Sequence, residues 1–153
     1  MENQIQILSC KIGKKVSISY YDNRDGYNYN VENEEYPHPD LKNAINAFQK
    51  DLAESHYILG EEMEYFHPNG FQSHEAKGKF SVILYGKLDT LHDDKVTVKS
   101  GKIPVEEEGI EDKLTVLRKE LYNYFFDGKT AQGKLFDKEE IENTPKAKDN
   151  ESN

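Results

Sequence analysis

Apolar and polar positions alternate from the start of the chain. Ile5 and Ile7, then Val16, Ile18 and Tyr20, recur at every second residue on either side of Ile12-Gly13-Lys14-Lys15, the period of half-buried strands around a tight turn. Asp22-Asn23-Arg24-Asp25-Gly26 is rich in turn formers, and Tyr27, Tyr29 and Val31 resume the period, predicting a third strand and a meander. After Tyr36-Pro37-His38-Pro39 the period changes. Leu41, Ala44, Ile45, Phe48 and Leu52 recur at steps of three and four, which predicts a helix opened by Pro39 and Asp40, fading near His56 and stopped by Gly60.

The second half repeats the order of strands before a helix. Glu61 to His67 reads as a strand with Met63 and Tyr65 on one face, broken by Pro68-Asn69-Gly70, and 71–79 reads as an exposed loop. Phe80 to Leu88 is the clearest strand; Phe80, Val82 and Leu84 alternate with Ser81, Ile83 and Tyr85, a pattern that suggests cover on both faces. Val96 and Val98 mark another strand, and Ile103 with Val105 extend it or form a short one past Ser100-Gly101. Glu106-Glu107-Glu108-Gly109 leads into a helix striped by Ile110, Leu114, Leu117, Leu121 and Phe125 and capped by Gly128,.

This order predicts an α+β fold: an antiparallel sheet of about five to six strands with two amphipathic helices, in one domain over 1–128. The halves share no residue-level similarity, so an internal repeat is not expected. From about Ala131 the apolar period ends, and DKEEIENTPKAKDNESN closes the chain. Such a composition predicts a disordered acidic tail over 129–153.

Composition narrows the function. The 153 residues are 35% hydrophobic and 32% charged, with a formal net charge of -9 and a mean hydropathy of -0.90, which disfavours nucleic-acid binding through the overall field. The single Cys10 cannot form an internal disulfide. With no basic leader in MENQIQILSC and no long apolar run, a cytoplasmic protein without membrane contact is expected. Nothing in the pattern sets an oligomeric state.

No catalytic constellation, metal site or cofactor motif emerges, so the chain reads as a non-enzyme. His38, His56, His67, His74 and His92 include no pair at metal-binding helical spacing. His67 and His74 could meet across a hairpin at Asn69-Gly70, the basis of a hydrolase alternative, although a solvated loop is the simpler reading. Asp22 to Asn33 lacks the oxygens of a calcium loop because Arg24 intrudes and no acid closes it. Cys10 in a strand reads as a small core residue, the glycines punctuate turns rather than cradle phosphate, and Glu61, Glu62 and Glu64 keep a strand edge wet. Tyr20, Tyr21, Tyr27, Tyr29 and Tyr36 have the look of a base-stacking platform. Nearby Lys11, Lys14, Lys15 and Arg24 are offset by Asp22, Asp25, Glu32, Glu34 and Glu35, so direct nucleic-acid contact is not expected.

One motif stands above this background. Gln132-x-x-Leu135-Phe136 resembles the short peptide by which bacterial polymerases and repair proteins dock on the DNA sliding clamp. That resemblance implies a protein partner, with Leu135 and Phe136 entering an apolar pocket and Gln132 hydrogen-bonding at its rim; Gly133 departs from the usual apolar second position. Left in water, each anchor forfeits about 1.5–3 kcal/mol of burial, which also makes folding back against Phe125 and Phe126 a reasonable fate. The chain is also similar to small acidic proteins of bacterial prophages, on Pro39-Asp40-Leu41 with Ala44 and Phe48 and on Ala131 to Asp137. This implies a phage setting and no mechanism. An acidic decoy or inhibitor of a host nucleic-acid-binding protein is the alternative that the charge suggests.

Overall fold

An antiparallel sheet with helices packed on one side runs through the computed structural model, which describes residues 4–58, 60–92, 94–107 and 109–131. The strands are β1 (Ile5–Ile12), β2 (Val16–Asp22), β3 (Tyr27–Asn33), β4 (Phe66–Ala76), β5 (Lys79–Asp89), β6 (Lys95–Lys99) and the two-residue β7 (Ile103–Pro104); the helices are α1 (Pro39–Asn46), α2 (Gln49–Ser55) and α3 (Ile110–Phe126). The α+β class is thus realised with one strand more than the sequence pattern suggests.

The strand order β3-β2-β1-β4-β5-β6, with β7 also on β5, reads the same from either edge toward the middle. Each half is a meander followed by helix, joined where β1 meets β4 antiparallel. A repeat in topology therefore exists without the similarity of residues that would have announced it.

The first hairpin and meander form as their alternation dictates. Val16, Ile18, Tyr20 and Asp22 are buried while the residues between them are half-exposed, and β3 pairs with β2 without a shift from Val16↔Asn33 to Asp22↔Tyr27. In α1 the His38 ring nitrogen Nδ1 accepts a hydrogen bond from the Asp40 N–H at 3.0 Å, and Pro39 occupies the first turn, a sound N-terminal cap. The predicted single helix is two: it breaks at Ala47 and Phe48 and resumes as α2. Leu41, Ile45, Phe48 and Leu52 are nonetheless all buried, because the break preserves the apolar face.

The stretch from Glu61 to Ala76 departs from its sequence reading. Gly60–Tyr65 is a short 3-10 helix, and β4 begins only at Phe66, running unbroken through Pro68, Asn69, Gly70 and the supposed loop to Ala76. The turn formers do not turn the chain; they make a bulge between Pro68 and Gly70 against β5,. Gly70 sits opposite Lys11 where β4 closes on β1, and a methyl group there would collide with the Cys10 carbonyl. Close approach of two backbones, not a turn, is why a glycine stands at this position.

The core gathers Ile7, Cys10, Ile18, Phe71, Val82 and Leu84 from one sheet face against Leu41, Phe48 and Leu52 of α1 and α2 and Ile110, Leu114, Leu117, Leu121 and Tyr124 of α3. The helical stripe of α3 is buried as its period predicts, and Gly128 follows its end with a φ of 72°. Cover of β5 on both faces does not occur. Val82 and Leu84 are buried, but Ser81, Ile83 and Tyr85 are only half-buried and Phe80 is 54% exposed. Where β6 ends, buried Ser100 ties back to β5: its Oγ accepts from the Leu84 N–H at 2.9 Å and its own N–H donates to the Leu84 carbonyl at 2.8 Å.

Candidate functional site: the open face of the sheet

Alternation, interrupted by register shifts in β1 between Ile7 and Ser9 and in β4 between Pro68 and Gly70, sends about every second residue of the strands away from the helices,. The pairing registers line these residues into rows that cross the sheet. One row runs Glu32, Ser17, Lys11, Gly70, Tyr85 and Lys99; the next runs Asn30, Ser19, Ser9, Gln72 and Ile83. Between them lies a concavity of about 550 Å³, bordered also by Asn69, Lys87 and Thr97.

The lining is hydrogen-bonded but mostly neutral. Tyr85 donates its hydroxyl to Gln72 Oε1 at 3.0 Å, Lys87 Nζ donates to Thr97 Oγ1 at 2.9 Å, and the Ser9 and Ser19 hydroxyls share a bond of 2.5 Å. The carboxylate that borders it is already engaged, Glu32 binding Lys15 at 3.1 Å. Farther along β5, Asp89 accepts from His67 Nε2 at 2.7 Å and Lys95 at 3.0 Å. The His67 hydrogen bond first, and then that of Lys95, hold the Asp89 carboxyl below its ordinary pKa of 3.8. Among the described residues, Lys11, Lys79, Lys87 and Lys99 have no carboxylate within ion-pairing distance.

Acidic residues collect in the other layer. Asp40, Asp51, Glu54, Glu111, Asp112 and Glu120 sit on the helices, and Glu61, Glu62 and Glu64 on the 3-10 turn. Of the five acids that offset the basic residues in the sequence, only Glu32 borders the concavity. Asp22 points to the buried side and is gripped by Arg24, with Nη2 at 2.7 Å and Nε at 2.9 Å. The pleat therefore sorts charges that the linear sequence leaves intermixed. A signal existed: Lys95, Thr97 and Lys99 alternate with Val96 and Val98, which puts polar residues on the face opposite the valines.

The tyrosines do not assemble as one platform. Tyr20 and Tyr29 stack at 5.3 Å on the helix side, where Phe126 meets Tyr20 edge-on at 5.6 Å. Tyr21 faces the other way, and Tyr27 and Tyr36 are exposed elsewhere. His67 and His74 are likewise apart, on one strand opposite Lys87 and Ser81, roughly 20 Å from each other by strand rise. No group of three or more potential ligands capable of holding a metal ion occurs among the described residues. Cys10 is buried, and burial pushes its thiol pKa to about 12, so it is not a nucleophile at neutral pH.

Gln132, Leu135 and Phe136 lie outside the described residues. The residues just before them are tied to the domain. Thr130 bridges to Pro37, Ala131 N–H donates to the Tyr36 carbonyl at 2.7 Å, and Lys129 Nζ lies between Asp40 at 2.8 Å and Glu120 at 3.1 Å. These contacts hold the chain to the rim of α1 and α3 up to the residue before Gln132. Among the described residues no helix is long and apolar enough to cross a membrane. Comparison of the chain with known protein families, with curated proteins and with solved structures finds no match.

Proposed function

We propose that the protein is a non-enzymatic interaction protein of phage type, cytoplasmic, and recruited to the DNA sliding clamp of its host by Gln132, Leu135 and Phe136. The observation that carries this reading is the attachment of Lys129, Thr130 and Ala131 to α1, α3 and the Tyr36-Pro37 segment. A docking peptide that starts from a fixed point loses less freedom on binding than one on a long free linker, and it sets where the domain sits on its partner. Two apolar anchors contribute about 3–6 kcal/mol before ordering costs, which corresponds to weak, micromolar recruitment.

The test is calorimetric titration of purified clamp with wild type and with Leu135→Ala/Phe136→Ala. Loss of binding with an unchanged melting temperature supports recruitment. A large fall in melting temperature instead places the pair in the protein's own core and ends the proposal. The acids gathered on the helices and the 3-10 turn favour a second reading, an acidic decoy for a host nucleic-acid-binding protein. Its signature is steep salt dependence together with indifference to the Leu135 and Phe136 substitutions.

A further inference from the structure

A face that no described element covers and that carries more lysines than carboxylates, on a chain of net charge -9, calls for an explanation, because random placement of an acidic excess would make it negative. Lys11, Tyr85 and Lys99 stand in one row, with β4 and its side-chain-free Gly70 between the first two. Lys11 and Lys99 are three strand spacings apart, about 14 Å. Beside that row, Gln72, Asn30 and Thr97 offer amide and hydroxyl donors and acceptors around the concavity. Lysines flanking an aromatic ring and neutral hydrogen-bonding groups are what an unpaired nucleic-acid strand needs: cations for phosphates, a ring for a base, and amides for base edges.

We propose that the open sheet face binds single-stranded nucleic acid, with Lys11, Lys87 and Lys99 contacting phosphates and the Tyr85 ring stacking on a base. The occupant is chosen by charge complementarity and by the lining. An acidic peptide would use the lysines but leave the ring and the amides unmatched, and a duplex would offer phosphates with its bases shielded from Tyr85. The helix layer suits phosphate less well, since on its helices and 3-10 turn nine acids outnumber Lys42, Lys50, Lys113, Arg118 and Lys119. This site is independent of Leu135 and Phe136, so it stands or falls apart from clamp recruitment.

The test is fluorescence anisotropy of full-length protein with a labelled oligothymidylate of about a dozen nucleotides. Binding is expected to weaken as salt rises, with a logarithmic slope of about -2 for three neutralised phosphates. Lys11→Glu/Lys99→Glu should abolish it, whereas Lys119→Glu on the exposed side of α3 should leave it nearly intact. Tyr85→Leu keeps apolar bulk without a ring and should weaken binding by about tenfold; Leu135→Ala/Phe136→Ala should bind as wild type. Circular dichroism melting of each variant separates lost contact from lost fold. The proposal is overturned by absence of binding at low salt, by Lys119→Glu weakening it as much as the double face variant does, or by duplex or polyglutamate competing as well as the oligonucleotide.

Discussion

Arg118 donates from Nε to the main-chain carbonyl of Ile7 at 3.0 Å, joining α3 to β1 across 111 positions of sequence. Its Nη2 donates to Ser73 Oγ at 2.8 Å, and the guanidinium lies 5.6 Å from the centre of the Phe71 ring. The β1–β4 ladder runs only from Lys11↔Gly70 to Ser9↔Gln72. Arg118 takes over beyond its end, spanning the two strands where direct pairing stops.

Arg118→Met keeps most of the apolar stem and removes the donors, leaving the Ile7 carbonyl without its partner. The expected cost is about 1.5–3 kcal/mol, the range for hydrogen bonds from charged groups. It should appear as a lower urea midpoint with an unchanged slope. Arg118→Lys should recover only part, because one ammonium cannot reproduce the planar fork. Wild-type stability in the Met variant would show that the bridge contributes nothing.

Cys10 should resist alkylation. With its pKa raised to about 12 by burial, the native thiol is protonated and enclosed at about pH 8, so iodoacetamide should label it only as fast as the protein opens. Denaturant should release one reactive equivalent. Labelling of the folded protein at the rate of a free thiol would contradict the assignment of Cys10 to the core.

Acid should destabilise the fold within a defined window. Hydrogen bonds from Arg24 hold Asp22 below 3.8, that from Lys129 does the same to Asp40, and His67 with Lys95 act on Asp89. For a carboxyl with a depressed folded pKa, the stabilisation is present above the unfolded value and lost as pH falls through the folded one. The loss traceable to these groups should therefore lie below about pH 4. Asp22→Asn should lower the melting temperature at neutral pH and flatten part of the acid limb; an unaltered acid limb would show that Asp22 is not one of its causes.

The prediction of a Glu61–His67 strand and a 71–79 loop failed for a physical reason. Pro68, Asn69 and Gly70 are turn formers by local conformational preference, yet here pairing with β5 and contact with Cys10 outweigh that preference. A bulge absorbs them. The helix break at Ala47 and Phe48 also left no mark, since its apolar positions continue across it. By contrast Val16, Ile18 and Tyr20, or Leu114, Leu117 and Leu121, were readable because period and burial agree along one element.

The amino-acid order by itself determined the class of fold, the first meander, the apolar stripes of α1 and α3 and the burial of Cys10, all set by contacts or periods within a short span of chain. Tertiary structure alone decided which sheet face the helices cover and which remains open, and it brought Lys11, Tyr85 and Lys99 into one row from positions far apart in the chain. Alternation tells each strand which residues share a side. Only the pairing of β1 with β4, closed through Gly70, tells the two halves that their polar sides are the same surface.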